Sequence, residues 1–149
     1  MRMGQTPRLK QKRRCHFRQR VRGYLVPQLN WNSVDFIQCL GVVPDVEEHE
    51  ISHVFTVSKD GMCLVVKVKQ YDGDVHIALF RNGCDMAVLD CRLVESDAAR
   101  WVNDIRGNYL EIGAGRLFGG RYDGGAPIPY GARIRIEPGI GIEFFWARS

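Results

Sequence analysis

The chain reads as an α+β protein. A mainly antiparallel β-sheet, a meander followed by a C-terminal hairpin, carries two short helices packed on one face. Three observations predict this. Four apolar, alternating segments succeed one another between residues 51 and 94. Asp60-Gly61, Asp72-Gly73 and Asn82-Gly83 separate them. Two further segments, one on either side of the meander, carry helix start and stop signals. Connections this short force antiparallel neighbours, and Asp-Gly or Asn-Gly supplies the positive φ angles of tight hairpins.

Residues 1–22 stand apart by composition. They hold Arg2, Arg8, Lys10, Lys12, Arg13, Arg14, Arg18, Arg20 and Arg22, and no acidic residue. So few apolar side chains cannot offset the entropy of ordering, which predicts a disordered basic arm. Three readings compete for it. It is a nucleic-acid arm that neutralises phosphates, a targeting peptide, or a solvated tail upstream of the true translation start. The remaining chain, 23–149, is expected to form one α+β domain. The formal charge of +4 therefore averages two regions, because residues 24–149 keep twelve basic against seventeen acidic residues, a net of −5.

Within the domain, "GYLVPQ" (23–28) reads as a short strand ended by Pro27. "NSVDFIQCLG" reads as a helix: Asn32 or Ser33 caps it, Val34, Ile37 and Leu40 share a face, and Gly41 stops it. The meander strands follow at 51–58, 62–70, 75–81 and 86–94. Leu64, Val66 and Val68 alternate with Lys67 and Lys69, and Ala87, Leu89, Cys91 and Leu93 with Asp90 and Arg92, the pattern of a sheet wet on one face. "SDAARWVNDIRG" (96–107) reads as the second helix. Ser96 caps it, Gly107 stops it, and Trp101, Val102 and Ile105 form its apolar stripe. "NYLEI" (108–112) is a short strand, and "ARIRIEP" with "IGIEFFW" closes the chain as a hairpin. Six or seven strands in one sheet are expected.

Composition bounds the function. Of 149 residues, 45% are hydrophobic and 26% charged, the balance of a water-soluble domain. No apolar run reaches the roughly 18–20 residues of a membrane helix, and the N-terminus lacks a secretory h-region. Five cysteines, with no C-x-x-C, argue against a disulfide framework or a zinc knuckle. A cytoplasmic setting and no cofactor are expected.

One motif tests that expectation. His49-Glu50-x-x-His53 spells the zinc-hydrolase signature, in which one helical turn brings both imidazoles to one metal. Its context is strand-like, and on a strand the two histidines lie about 13 Å apart. A zinc hydrolase is therefore the last of three function classes. The Gly-rich stretch 113–131 does not fit G-x-G-x-x-G, because Phe118 occupies the last glycine position. No serine lies in G-x-S-x-G.

What remains is a small non-catalytic binding protein, with no membrane association expected. By analogy of size and charge alone, an acidic body suits an inhibitor or immunity-type protein that covers a basic protein partner. The expected contact residues are the acidic run Asp45, Glu47, Glu48 and Glu50, with Arg116, Arg121 and Tyr122 from the Gly-rich loop. The alternative is a nucleic-acid-associated protein using Arg8, Lys10, Lys12, Arg13, Arg14, Arg18, Arg20 and Arg22.

Overall fold

A computed structural model describes residues 29–119 and 122–146, with only the backbone of Glu50. The basic arm and the 23–28 strand lie outside the described residues, as does Arg121. Among the described residues, nine strands form two antiparallel sheets, with one α-helix and one 3-10 turn.

The helix, α1 (Ser33–Leu40), forms where its signals lie. Asn32 Oδ1 accepts from Val34 N at 2.9 Å, and Gly41 takes the left-handed φ of 74° that ends it. Trp31, just before the cap, packs edge-on against Phe36 at 5.0 Å, a hydrophobic staple that fixes the entry of the chain. Phe36 and Leu40 are buried, and the helix packs on the second sheet. Truncating Phe36 to alanine would remove the staple and open a cavity, costing about 3–5 kcal/mol.

The first sheet runs β1 (Asp45–Val46), β2 (His53–Lys59), β3 (Met62–Lys69), β4 (Asp74–Arg81) and β5 (Ala87–Leu93), in that order. Asp60 and Gly61 both adopt positive φ, so Lys59 pairs directly with Met62 across a two-residue turn. Phe55, Val57, Leu64, Val66, Val68, Val75 and Ile77 point inward. Lys67 and Lys69 point outward, as the alternation predicts. The irregularity in the β4–β5 pairing falls at Leu79/Phe80.

The segment 96–107 is a correction. It forms no helix. β6 (Ala99–Asp104) pairs with β7 (Gly107–Gly113) through a turn at Ile105-Arg106. Ser96 does not cap; its hydroxyl donates to the Ala98 carbonyl. Gly107, at φ 107°, serves the turn rather than a helix stop. The supposed stripe does not reach the core, since Trp101 is exposed and Ile105 fully so. Pairing with β7 meets the backbone groups on one side of this edge strand, and Ala98 and Ala99 are buried; both outweigh local helix signals.

A second correction concerns the layers. The strands do not form one sheet under two helices. β6, β7, β8 (Tyr130–Arg135) and β9 (Gly141–Trp146) make a separate four-stranded sheet. Its Leu110, Ile112, Ala132 and Ile134 meet the inner face of the first sheet and α1 in one core. The chain crosses between sheets at Glu95, which has a positive φ of 55°. There Ser96 N donates to Gly73 O at 2.7 Å, and a Cβ on Gly73 would lie 2.4 Å from the Ser96 carbonyl oxygen. Only glycine permits that approach. Lys59 and Glu137 link the first sheet to the β8–β9 connection.

Candidate functional site

A cleft of about 580 Å³ opens where α1 enters the body. Asn30, Trp31, Asn32 and Ser33 line one side, Val46 of β1 and His53 of β2 the other, with Gln70 just beyond β3. The staple that starts α1 also fixes this wall. Trp31 Nε1 donates to Gln70 Oε1 at 3.2 Å, and its ring stands edge-on to His53 at 4.9 Å and to Phe55 at 6.4 Å. His53 Nδ1 is enclosed, with no hydrogen-bond partner among the described residues.

The acidic run borders this cleft. Asp45 and Glu47 flank Val46, and Glu48 opens the 3-10 turn Glu48–Glu50. Asp45, Glu47 and Glu48 are exposed, together with the apolar Val43, Val46 and Ile51. Glu47 is held in place: Lys67 Nζ donates to it at 2.9 Å and Ser52 Oγ at 2.7 Å. The Lys67 hydrogen bond, then that of Ser52, keeps its carboxyl below the ordinary carboxylate range. Asp35, Asp45 and Glu48 make no ion pair among the described residues. Exposed carboxylates and exposed apolar side chains therefore alternate along this segment, with Lys67 and Lys69 close to Glu47.

The histidine pair does not form a metal site here. His49 lies in the 3-10 turn at φ 60°, exposed, and His53 begins a strand, so no helix carries both. Among the described residues no three His, Cys, Asp or Glu side chains converge as a metal would need. Glu50 is placed in the same turn by its backbone.

The Gly-rich loop folds back on the outer face of the second sheet, and its Tyr122 carbonyl accepts a hydrogen bond from Asn30 Nδ2, a residue of the cleft wall. Tyr122 is only 2% exposed and packs with Ala98, Ile128 and Phe145 in a small second core. Its hydroxyl donates to the Ala126 carbonyl at 2.6 Å. Expected as a surface anchor, Tyr122 is instead a pin beneath the loop, because its ring is the apolar mass that can cover Phe145 and Ala98. The buried Asp97 carboxylate accepts from Leu117 N and Phe118 N at 3.3 and 3.2 Å, fixing the loop start. Arg116 stays on the surface, 3.6 Å from Glu95.

The fold has a solved counterpart. It is similar to a chain in the contact-dependent growth inhibition toxin–immunity protein complex from Klebsiella pneumoniae 342. The TM-score is 0.62, with 15% identity over 80% of this chain and 96% of that one. At that identity the likeness is one of fold. No protein-family model matches the chain, and no curated protein matches it.

Sequence reasoning missed most of the cleft. Its lining comes from four separate stretches, and only Trp31 carries a local signal, an aromatic immediately before a helix cap. A second exposed surface was also missed. Tyr130 pairs with Trp146 across β8 and β9, and Phe144 lies on the same face. All three are exposed, Trp146 at 74%. Among the described residues, no helix is long and apolar enough to cross a membrane.

Proposed function

We propose that this chain is a small non-catalytic inhibitor of the immunity type, which covers a basic protein partner with the acidic face beside the cleft. The observation that carries this is the position of the acidic run. Asp45, Glu47 and Glu48 project from a two-residue edge strand and a single turn, around an open cleft and exposed valines. Charge here would steer a cationic partner, and the exposed Val43, Val46 and Ile51 would hold it once docked. Glu50 would join the face, and Arg116 and Arg121 would contact the partner from the loop that Tyr122 pins. Support also comes from the fold of a chain found in a toxin–immunity protein complex. The cysteines described are all free thiols, which suits a cytoplasmic inhibitor.

Co-expression tests the role. The protein encoded beside this chain in its own genome, produced alone in bacterial cells, is expected to arrest growth, and adding this chain is expected to restore it. Growth arrest by this chain alone, or a neighbour that is harmless or not neutralised, contradicts the proposal.

A further inference from the structure

We infer that a second copy of this chain docks edge to edge on β9, joining the two second sheets into one. An edge strand offers a row of backbone N–H and C=O groups to any extended chain, and folded proteins blunt such edges. Among the described residues the two sheets have four edges, and three are blunted. β1 is two residues long and carries Asp45. β5 carries the exposed Asp90 and Arg92, and its pairing with β4 shifts register at Leu79/Phe80. β6 is bridged at its start by Asn30, which donates to Asp97 O and accepts from Ala99 N, and it bears Arg100 and Asp104 beyond.

β9 has none of these devices. Its residues Gly141–Trp146 pair with β8 in unbroken register and include no proline. Its one charged residue, Glu143, is held by Arg133. Phe144 lies opposite the buried Ala132 and Trp146 opposite Tyr130, so the core face of the second sheet runs on, uncovered, to this edge. Phe144 is 52% exposed and Trp146 74%.

A bare apolar edge selects an extended apolar strand. A partner present only at times leaves it bare for the rest, whereas a second copy is present whenever the chain is, and β9 is itself such a strand. A two-fold axis through the sheet pairs β9 with its copy antiparallel, and directly opposite side chains share a face. Centred on Glu143, it sets two carboxylates opposite each other, which destabilises. Centred on Ile142 or Phe145, it pairs only 141–143 or 144–146 within the strand. Centred on Phe144, it pairs 142–146, with Phe144 against Phe144, Ile142 against Trp146 and Glu143 against Phe145. No like charges meet there. At about 150–250 Å² for a buried aromatic, the exposed parts of Phe144 and Trp146 amount to roughly 500 Å² in the pair. The paired backbone and Ile142 bring the interface toward the roughly 1,000 Å² that a specific contact needs, so the association is weak.

Sedimentation velocity of the full-length chain, from about 5 to 500 µM, should show a concentration-dependent shift from monomer to dimer. Phe144→Lys places two ammonium groups on the axis and should stay monomeric throughout while keeping a cooperative unfolding transition; Phe144→Glu should do the same. Mixed in equal amounts, the two variants should dimerise again, because lysine then faces glutamate. A native chain that is monomeric at every concentration overturns the inference; slow amide exchange in β9 of that monomer would assign the edge to a segment of the same chain. A dimer unmoved by Phe144→Lys overturns it and places the interface elsewhere. Variants that stay monomeric when mixed overturn the pairing of Phe144 with its own copy. Growth protection is read separately, because the acidic run lies on the first sheet and β9 on the second.

Discussion

Arg133 on β8 and Glu111 on β7 face each other across the second sheet, guanidinium Nε to carboxylate oxygen at 3.1 Å, with Glu111 only 3% exposed. Arg100 on β6 takes the other carboxylate oxygen at 3.0 Å. Arg133 extends the ladder to Glu143 at 3.0 Å and lies 3.8 Å over the Phe145 ring. A buried carboxylate is tolerated here because both its oxygens are met by guanidinium groups. Glu111→Ala would leave two cations partly buried beneath the loop. We expect a loss of about 3 kcal/mol, seen as a lower urea midpoint with an unchanged slope, and a smaller loss for Glu111→Gln.

The β6–β7 turn predicts an acid-side signature. Tyr109 OH donates to Asp104 Oδ2 at 2.6 Å, and Arg106 Nη2 donates to the same oxygen at 3.0 Å. The Tyr109 hydrogen bond first, then Arg106, lowers the Asp104 carboxyl to about 2 from the ordinary 3.8. A depressed folded-state value stabilises above the unfolded value, and the contribution is lost as pH falls through the folded one. Between about pH 4 and pH 2, stability should therefore drop less steeply in Asp104→Asn than in the native chain. Carbon-detected titration of Asp104 should show a midpoint near 2. A midpoint near 3.8 would mean that the turn network does not persist in solution.

Asp97 governs the Gly-rich loop. Its carboxylate is the acceptor for two backbone N–H groups, Leu117 and Phe118. Asp97→Ala should cost about 1–3 kcal/mol and raise amide exchange at 114–119 and 122–129, while exchange in β3 and β4 stays slow. Tyr122→Phe removes only the hydrogen bond to Ala126 and should cost about 1 kcal/mol.

Thiol chemistry separates the cysteines. Burial pushes the Cys39 thiol up to about 11, with its sulfur against the Ile134 carbonyl, whereas Cys84 is exposed in the β4–β5 turn. At pH 8, iodoacetamide should label Cys84 quickly and Cys39 only on unfolding, as peptide mass spectrometry would report. Fast labelling of Cys39 would place the end of α1 out of its packed position.

Much of the first sheet was legible because its information is local. Leu64, Val66 and Val68 alternate with lysines, and Asp60-Gly61 names its own turn. α1 was legible for the same reason, with Asn32 and Gly41 marking its ends. The segment 96–107 misled because Trp101, Val102 and Ile105 fit a helical face, and the two-residue turn at Ile105-Arg106 that pairs Ala99 with Ile112 carries no Asn-Gly or Asp-Gly signal. The chain crosses between the two sheets beside the close approach of Gly73 to Ser96, which no window of sequence displays. The acidic run could be read from composition, but its neighbour could not: the cleft needs residues 30–33, 46, 53 and 70 brought together.

The most direct test of the acidic face is the affinity of this chain for its neutralised partner, measured by calorimetry for the native chain and for Asp45→Lys/Glu48→Lys as salt is raised. Both positions are exposed, so the variant should fold. An acidic interface requires the variant to bind at least roughly tenfold more weakly at low salt, with the gap narrowing as salt screens the charges. Equal affinity of the two proteins at every salt concentration would contradict it and move the interface elsewhere on the molecule.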